Sequence, residues 1–495
     1  MNIVDRTISW FSPERGLARI KARARAEGLT NARLAYQGAT AGRRAQGWRA
    51  VSTDANAETR GASMRLRDVA RDMVRNNPHA ARAVQVITHN VVGTGIIPTA
   101  ALTTEKHRGE LEVLLKAHFD TTACDADGRH DLYGLQALAM RTVVESGEAI
   151  VRKRPRRAED GLPLPFQIQV MEPDHLDSSI DGPQPNGSFA VQGVEYDGIG
   201  KRIAYHLFQE HPGAMSTYRT FTSVRVPAEF VAHIYRSDRP GQARGVSWFA
   251  PVVLRMRDFA DFADAQLVRQ KVAACFAAFI ETEDTGAGLI GATPEGQSHP
   301  LEMLEPGIIE RLRVGEKVSF GAPPQVAGYA EYMGATLHEI AAGLGVSYEA
   351  LTGDLKGVNF SSGRMGWLEF QRSIDAWRNH MLMPQFCEPV SRWFLEAVAV
   401  GTGKRAPAQI TWTAPRREMI DPTREIPAIR NAIRAGLSSR SYEQRRLGFD
   451  PHDLDAEITA DNARADASKL IFDSDPRRVT IQGRMQDGFR PDDED

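Results

Sequence analysis

The sequence predicts an α+β protein whose body carries an antiparallel sheet, and three observations predict it. Apolar residues recur at helical spacing over long segments before residue 146 and after residue 250. Between them lie short segments that alternate with period two, the mark of half-buried strands. The strands are grouped and joined by turn residues, which suits antiparallel pairing rather than alternating strand–helix units.

The elements follow in order. Residues 1–64 are biased by Arg19, Lys21, Arg23, Arg25, Arg33, Arg43, Arg44 and Arg49, lack apolar periodicity, and read as a basic, loosely ordered arm. Leu66, Val69, Ala70, Met73 and Val74 start the first helix; Asn77 can cap a second, with Pro78 at its first position. That second helix carries Ala80, Ala83, Val84, Ile87 and Val91 on one face and stops at Gly93-Thr94-Gly95. Helices are expected at 106–119 and 133–145. Strands are expected at 149–154, 166–170, 193–197, 203–208, 224–226 and 231–235, with a turn at Gly198-Ile199-Gly200.

Pro251 opens a helical pattern running to Thr282, long enough to span on the order of 45 Å. Residues 283–325 are Gly/Pro-rich with short apolar runs, a small β-containing excursion from which a helix at 329–343 returns. A glycine-bounded loop, 353–363, leads to a long helix over 364–400 that Pro384 should kink. A strand at 409–413 and helices at 423–435 and 440–447 precede a frayed acidic end.

Composition bounds the chemistry. At 42% hydrophobic and 25% charged, the chain can build a core, and a formal net charge of -2 lacks the basic excess of a tight duplex binder. Cys124, Cys275 and Cys387 are scattered, which argues against a zinc ribbon or disulfide framework and fits a reducing cytoplasm. No signal peptide and no membrane span is legible. A phosphate-cradling loop fails twice: Arg405 follows Gly401-Thr402-Gly403-Lys404, and Arg202 follows Gly198-Ile199-Gly200-Lys201. Gly245-Val246-Ser247-Trp248 lacks the second glycine of a nucleophile elbow. Glu172, Asp174, His175, Asp177 and Asp181 have the right elements for a divalent cation but no ligand spacing, and read as a turn after a strand. His206 and His233 read as sheet residues. Catalytic residues, cofactors and metal ligands are therefore expected to be none.

Several segments, in order, resemble the lambda family of tailed-phage portal proteins: Arg75-Asn76-Asn77-Pro78, Asn90 to Ile96, Glu145-Ser146-Gly147-Glu148-Ala149, Gln169 to Asp177 and Gly193 to Asp197. Arg239 to Ser247, Leu304-Glu305-Pro306-Gly307, Gly343 to Glu349 and Asn359 to Arg364 continue the series. The resemblance implies a portal fold: a wing at 65–250, a stem helix at 251–282, a clip at 283–325, a returning stem helix at 326–352, a tunnel loop at 353–363, a long helix and wing return at 364–415, and a helical crown and tail at 416–495. It also implies a ring, usually dodecameric, at one capsid vertex, serving as channel for genome packaging and ejection. Implied partners are copies of the chain, double-stranded DNA in the channel, the terminase large subunit, head-completion and tail connector proteins and the major capsid protein, with no membrane. Assembly would take place in the host cytoplasm. Lys356 would face DNA phosphates from the tunnel loop, with Asn359, Ser361 and Ser362 beside it. Two other readings compete: another virion structural protein such as a head–tail adaptor or minor capsid protein, and a metal-dependent DNA-processing enzyme built on Glu172, Asp174 and Asp177.

Overall fold

A computed structural model describes residues 52–101, 104–214, 222–274, 278–282, 316–320, 328–402, 408–416, 418–419, 421–472, 475 and 477–478, with residues 10, 14, 21 and 22. The chain divides into two units, Met1–Asp54 and Ala55–Asp495. Nearly all of the first, Cys275, most of the expected clip (283–325) and the acidic end lie outside the described residues.

Helices α1 (Ala55–Arg60), α2 (Ser63–Asn76) and α3 (Pro78–Val91) open the second unit. The arm expected over 1–64 is thus too long: residues 55–64 are folded. A single helical turn is too short to show periodicity. It is held instead by Asn56, whose side chain bonds the Gly241 carbonyl and the Ala243 N–H, each at most 3.0 Å away. Asn77 caps α3 as expected, accepting from His79 and Ala80 with Pro78 at the first turn.

Next come β1 (Ile97–Ala101), α4 (Glu105–Phe119) and α5 (Leu132–Ser146). The α+β body then forms two sheets, both antiparallel. The first orders β3 (Phe166–Met171), β2 (Glu148–Pro155) and β9 (Val231–Tyr235). The second orders β4 (Gly182–Pro183), β5 (Phe189–Val191), β6 (Val194–Tyr196), β7 (Arg202–Phe208) and β8 (Ser223–Pro227). β2 shows the period-two logic. Ala149 and Val151 enter the main core under the helices, while Ile150 joins a second core with Met171, Val194, Tyr205 and Leu207.

His118 lies in the main core, fully buried between the rings of Phe119 and Phe166, and neither ring nitrogen has a partner among the described residues. Burial lowers it to about 4, so the folded protein keeps it neutral. Its folded value lies below its unfolded one; stability is therefore full above pH 6.5 and falls as the unfolded chain takes up a proton. Near pH 5 this costs about 2 kcal/mol. Thermal melts at pH 7 and pH 5 should show a gap that narrows in His118→Leu; an equal gap in that variant removes His118 as its source. Cys124 and Cys387 are buried free thiols, and burial pushes Cys124 up to about 12.

α6 runs from Val253 to Ala274, and β10 (Ala278–Thr282) pairs antiparallel with β11 (Glu316–Phe320). This corrects the helix expected over 251–282. Apolar residues throughout 272–280 blur the helical period, and only pairing with a distant strand turns the last five residues into sheet. α7 (Tyr329–Leu344) returns antiparallel to α6. Phe262 meets Tyr329 and Tyr332, Arg255 pairs with Glu339 at 3.3 Å, and Gly343 lies flat on Val252.

After α8 (Tyr348–Thr352), α9 (Phe360–Trp377) continues through a π-helical stretch, Arg378–Cys387, into α10 (Glu388–Thr402). Pro384 sits inside this stretch. Wider turns, rather than a break, absorb its missing N–H. There Arg378 donates to the Asn90 and Val91 carbonyls, satisfying orphan acceptors at the end of α3. β12 (Gln409–Thr413) pairs with β1, and α11 (Pro422–Arg434), α12 (Arg440–Arg446) and α13 (Pro451–Ala467) end the fold. No helix among the described residues is long and apolar enough to cross a membrane.

Candidate functional site

The four residues expected in one loop divide between two structures. Gly353, at φ +73°, ends α8 and turns the chain outward. Asp354 accepts the Lys356 backbone N–H at 3.1 Å, and Leu355 and Lys356 are exposed. No carboxylate among the described residues lies within salt-bridge distance of Lys356. Asn359 is the cap of α9. Its side chain accepts the Ser362 N–H at 2.8 Å, and its own N–H donates to the Ser362 Oγ at 3.1 Å. Ser361 lies in the first turn of the helix. The loop therefore ends at Asn359 rather than 363, because a capping box needs Asn and Ser three residues apart and the chain has them there. Asn359 and Ser362 hold the helix start; Lys356 stays exposed, with no carboxylate partner among the described residues.

The acidic run resolves into several unrelated partnerships. Arg67 reaches Asp174 at 3.2 Å; Arg71 reaches Asp174 at 2.6 Å and Glu172 at 3.2 Å. Against the effect of burial, the hydrogen bond from Arg71 and the charge of Arg67 lower the Asp174 carboxyl. Asp177 is elsewhere, accepting from Ser179 and Ser223, and Asp181 pairs with Arg60. Glu172 and Asp174 do meet His211, a residue that the sequence reading passed over: all three ligand atoms lie within 4.8 Å of one another. Arg71 already supplies the cation there. Duplex DNA incubated with the protein and magnesium is expected to stay intact. Magnesium-stimulated cutting lost in Asp174→Ala would overturn that expectation.

The deepest polar constellation was legible only as motif residues. Glu148 is almost wholly buried and accepts from Arg244 Nη2 at 2.6 Å, Arg244 Nε at 2.9 Å, His233 Nε2 at 2.9 Å and the Gly245 N–H at 2.8 Å. Arg67 adds a contact at 3.5 Å, and Arg244 Nη1 donates to the Gln192 carbonyl at 2.7 Å. Burial alone would raise Glu148, but the charge of Arg244 and the hydrogen bond from His233 outweigh it and hold the carboxyl well below the usual carboxylate range. Burial holds His233 below its ordinary value, so it stays neutral and donates from Nε2.

The glycines beside this centre are there for contact. A Cβ on Gly147, at φ +93°, would lie 2.4 Å from the Val246 carbonyl carbon; one on Gly245 would lie 2.2 Å from the Gly147 oxygen. The two motif segments 145–149 and 239–247 thus meet backbone to backbone, joined by one buried ion pair. They lock the sheet to the chain entering α6. What the motifs build is a rigid joint.

The described residues thus form a sheet body with this joint, from which two antiparallel helices lead to and from a strand pair. The chain matches the family of phage portal proteins of the lambda type over residues 41–378 and belongs to that family. It is a portal protein and a virion component. It is 26% identical to the probable portal protein of Halomonas phage phiHAP-1, over 87% of this chain and 85% of that one. It is 23% identical to portal protein B of Escherichia phage lambda, over 81% and 84%. Among solved structures, a chain in the neck of a native GTA particle has 14% identity and a TM-score of 0.45, covering 77% of this chain and 94% of that one.

Proposed function

We propose that the chain assembles as a closed ring, usually of twelve subunits, at one capsid vertex, through which double-stranded DNA enters and leaves. The observation that carries this reading is the antiparallel pair α6 and α7 flanking the strand pair β10–β11. Leu254, Leu267 and Val268 on α6 are at least half exposed. Exposed apolar side chains near both ends of a long helix call for a partner, and a head-to-tail contact between copies closes into a ring when its rotation permits. On this reading α6 and α7 are the stem, 283–325 the clip, 65–250 with part of 364–415 the wing, and the helices after 416 the crown. Terminase and then head-completion and tail connector proteins would dock at the clip, and the major capsid protein would surround the ring. Assembly would take place in the host cytoplasm.

Lys356, exposed and without a carboxylate partner among the described residues, would guide phosphates in the bore. One cation per loop adds little salt-dependent affinity, so DNA can slide. Electron micrographs of the purified protein should show annular particles with a central hole. Leu254→Asp combined with Leu267→Asp should dissolve them into single subunits that still fold. Single subunits at every concentration of the unaltered protein, or intact rings in the double variant, would overturn the proposal.

A further inference from the structure

β2 carries a row of cations that no carboxylate balances among the described residues. Arg152 and Arg154 alternate on one face of the strand, and Arg156 continues it where the ladder runs on through the Arg156 N–H to the Pro165 carbonyl. Alternate side chains on a strand stand about 6.7 Å apart. Arg154 Nε donates to Gln169 Oε1 and Arg156 Nε to Gln167 Oε1, both at 2.8 Å; Arg152 has no side-chain partner among the described residues. The opposite face shows the contrast, since Lys153 pairs there with Glu396 at 2.8 Å. The strain of the row registers in its acidities: burial, then the charge of Arg154, lowers Arg152, and burial, then the charge of Arg156, lowers Arg154.

Neutral glutamines hold the Nε positions of Arg154 and Arg156, which leaves their Nη edges as forks for an oxyanion. A protein partner fits poorly. No large apolar side chain of β2, β3 or β9 is exposed, so an interface here would lack an apolar centre. Nor can an acidic strand add beside β3. Its outer edge bonds the Ala126 N–H and bridges Asp125, while Gln167 reaches the Ala123 and Asp125 carbonyls. What remains is a row of phosphates, which needs forks and no apolar core.

We infer that Arg152, Arg154 and Arg156 form a docking strip for the phosphate backbone of duplex DNA, separate from the loop at Lys356. The strip reads no sequence; it holds DNA against the outside of the sheet.

The test titrates a short fluorescein-labelled duplex with the full-length assembled protein over a range of salt concentrations. With all three arginines changed to Gln, the slope of log affinity against log salt should fall by about 2.7, that is about 0.9 for each phosphate released. The Arg→Lys triple should keep most of the slope. Lys356→Gln should act additively, which separates this strip from the channel reading. An unchanged slope in the Gln triple overturns the inference. So does loss of rings in that variant, which would make the strip a contact between subunits. So does binding of poly-glutamate that the Gln triple abolishes while duplex binding survives.

Discussion

Arg244→Ala is expected to destabilise the folded body by about 3–5 kcal/mol, because it leaves the Glu148 carboxylate buried without its main counter-charge. The magnitude follows from the position of the carboxylate. Glu148 is buried, and without Arg244 its carboxylate would keep only the neutral His233 imidazole, the Gly245 N–H and Arg67 at 3.5 Å. Changing both residues to Leu should cost less than Arg244→Ala alone, since no lone charge is left behind. Denaturant midpoints of the two variants test the order; an Arg244→Ala midpoint equal to that of the native protein would remove the ion pair from the account. The pH dependence has a definite sign. Glu148 has a folded value below its unfolded one, so its contribution is present above the usual glutamate range and disappears only as pH falls through that lower folded value. Loss of stability between pH 6.5 and 5 therefore belongs to the neutral buried histidines, His118 first.

Gly147→Ala should be nearly as damaging. A left-handed backbone costs an L residue roughly 1–2 kcal/mol, and the new Cβ would press on the backbone of Val246 and Ser247, which cannot move aside as a flexible side chain would. Gly245 of the same segment approaches as closely, since a Cβ there would meet the Gly147 oxygen at 2.2 Å. Low soluble yield and a lowered melting temperature are the expected readouts, with Gly161→Ala, another left-handed glycine but with open space around it, as the control for backbone strain alone. Equal losses in the two variants would mean that the close approach contributes nothing.

Much of the fold was legible because local chemistry settles it. Asn77 and Pro78 announce a helix start; the apolar spacing of α2 to α5 announces their buried faces; the alternation in β2, β3, β7 and β9 announces sheet. Strand β1 was not legible. Ile97-Pro98-Thr99-Ala100-Ala101 has no alternation and contains a proline, and it becomes a strand only by pairing with β12, where Thr411 bonds Thr99 across 312 positions. The limits of α6 and of the loop before α9 moved for similar reasons, one set by a strand partner and the other by a capping box.

The motif order along the chain pointed to the family, and apolar spacing with the Gly/Pro-rich stretch at 283–325 gave, independently, a long helix, a small β excursion and a returning helix. Which charges face one another, and which glycines must stay bare, only the tertiary structure decided. Glu145, Glu148, Glu172 and Asp174 look alike in a string of letters. Folding buries Glu148, pairs Glu172 and Asp174 with arginines from α2 and leaves Glu145 half-buried beside Arg141, because electrostatic energy depends on distance and burial, and neither is a property of position in the chain.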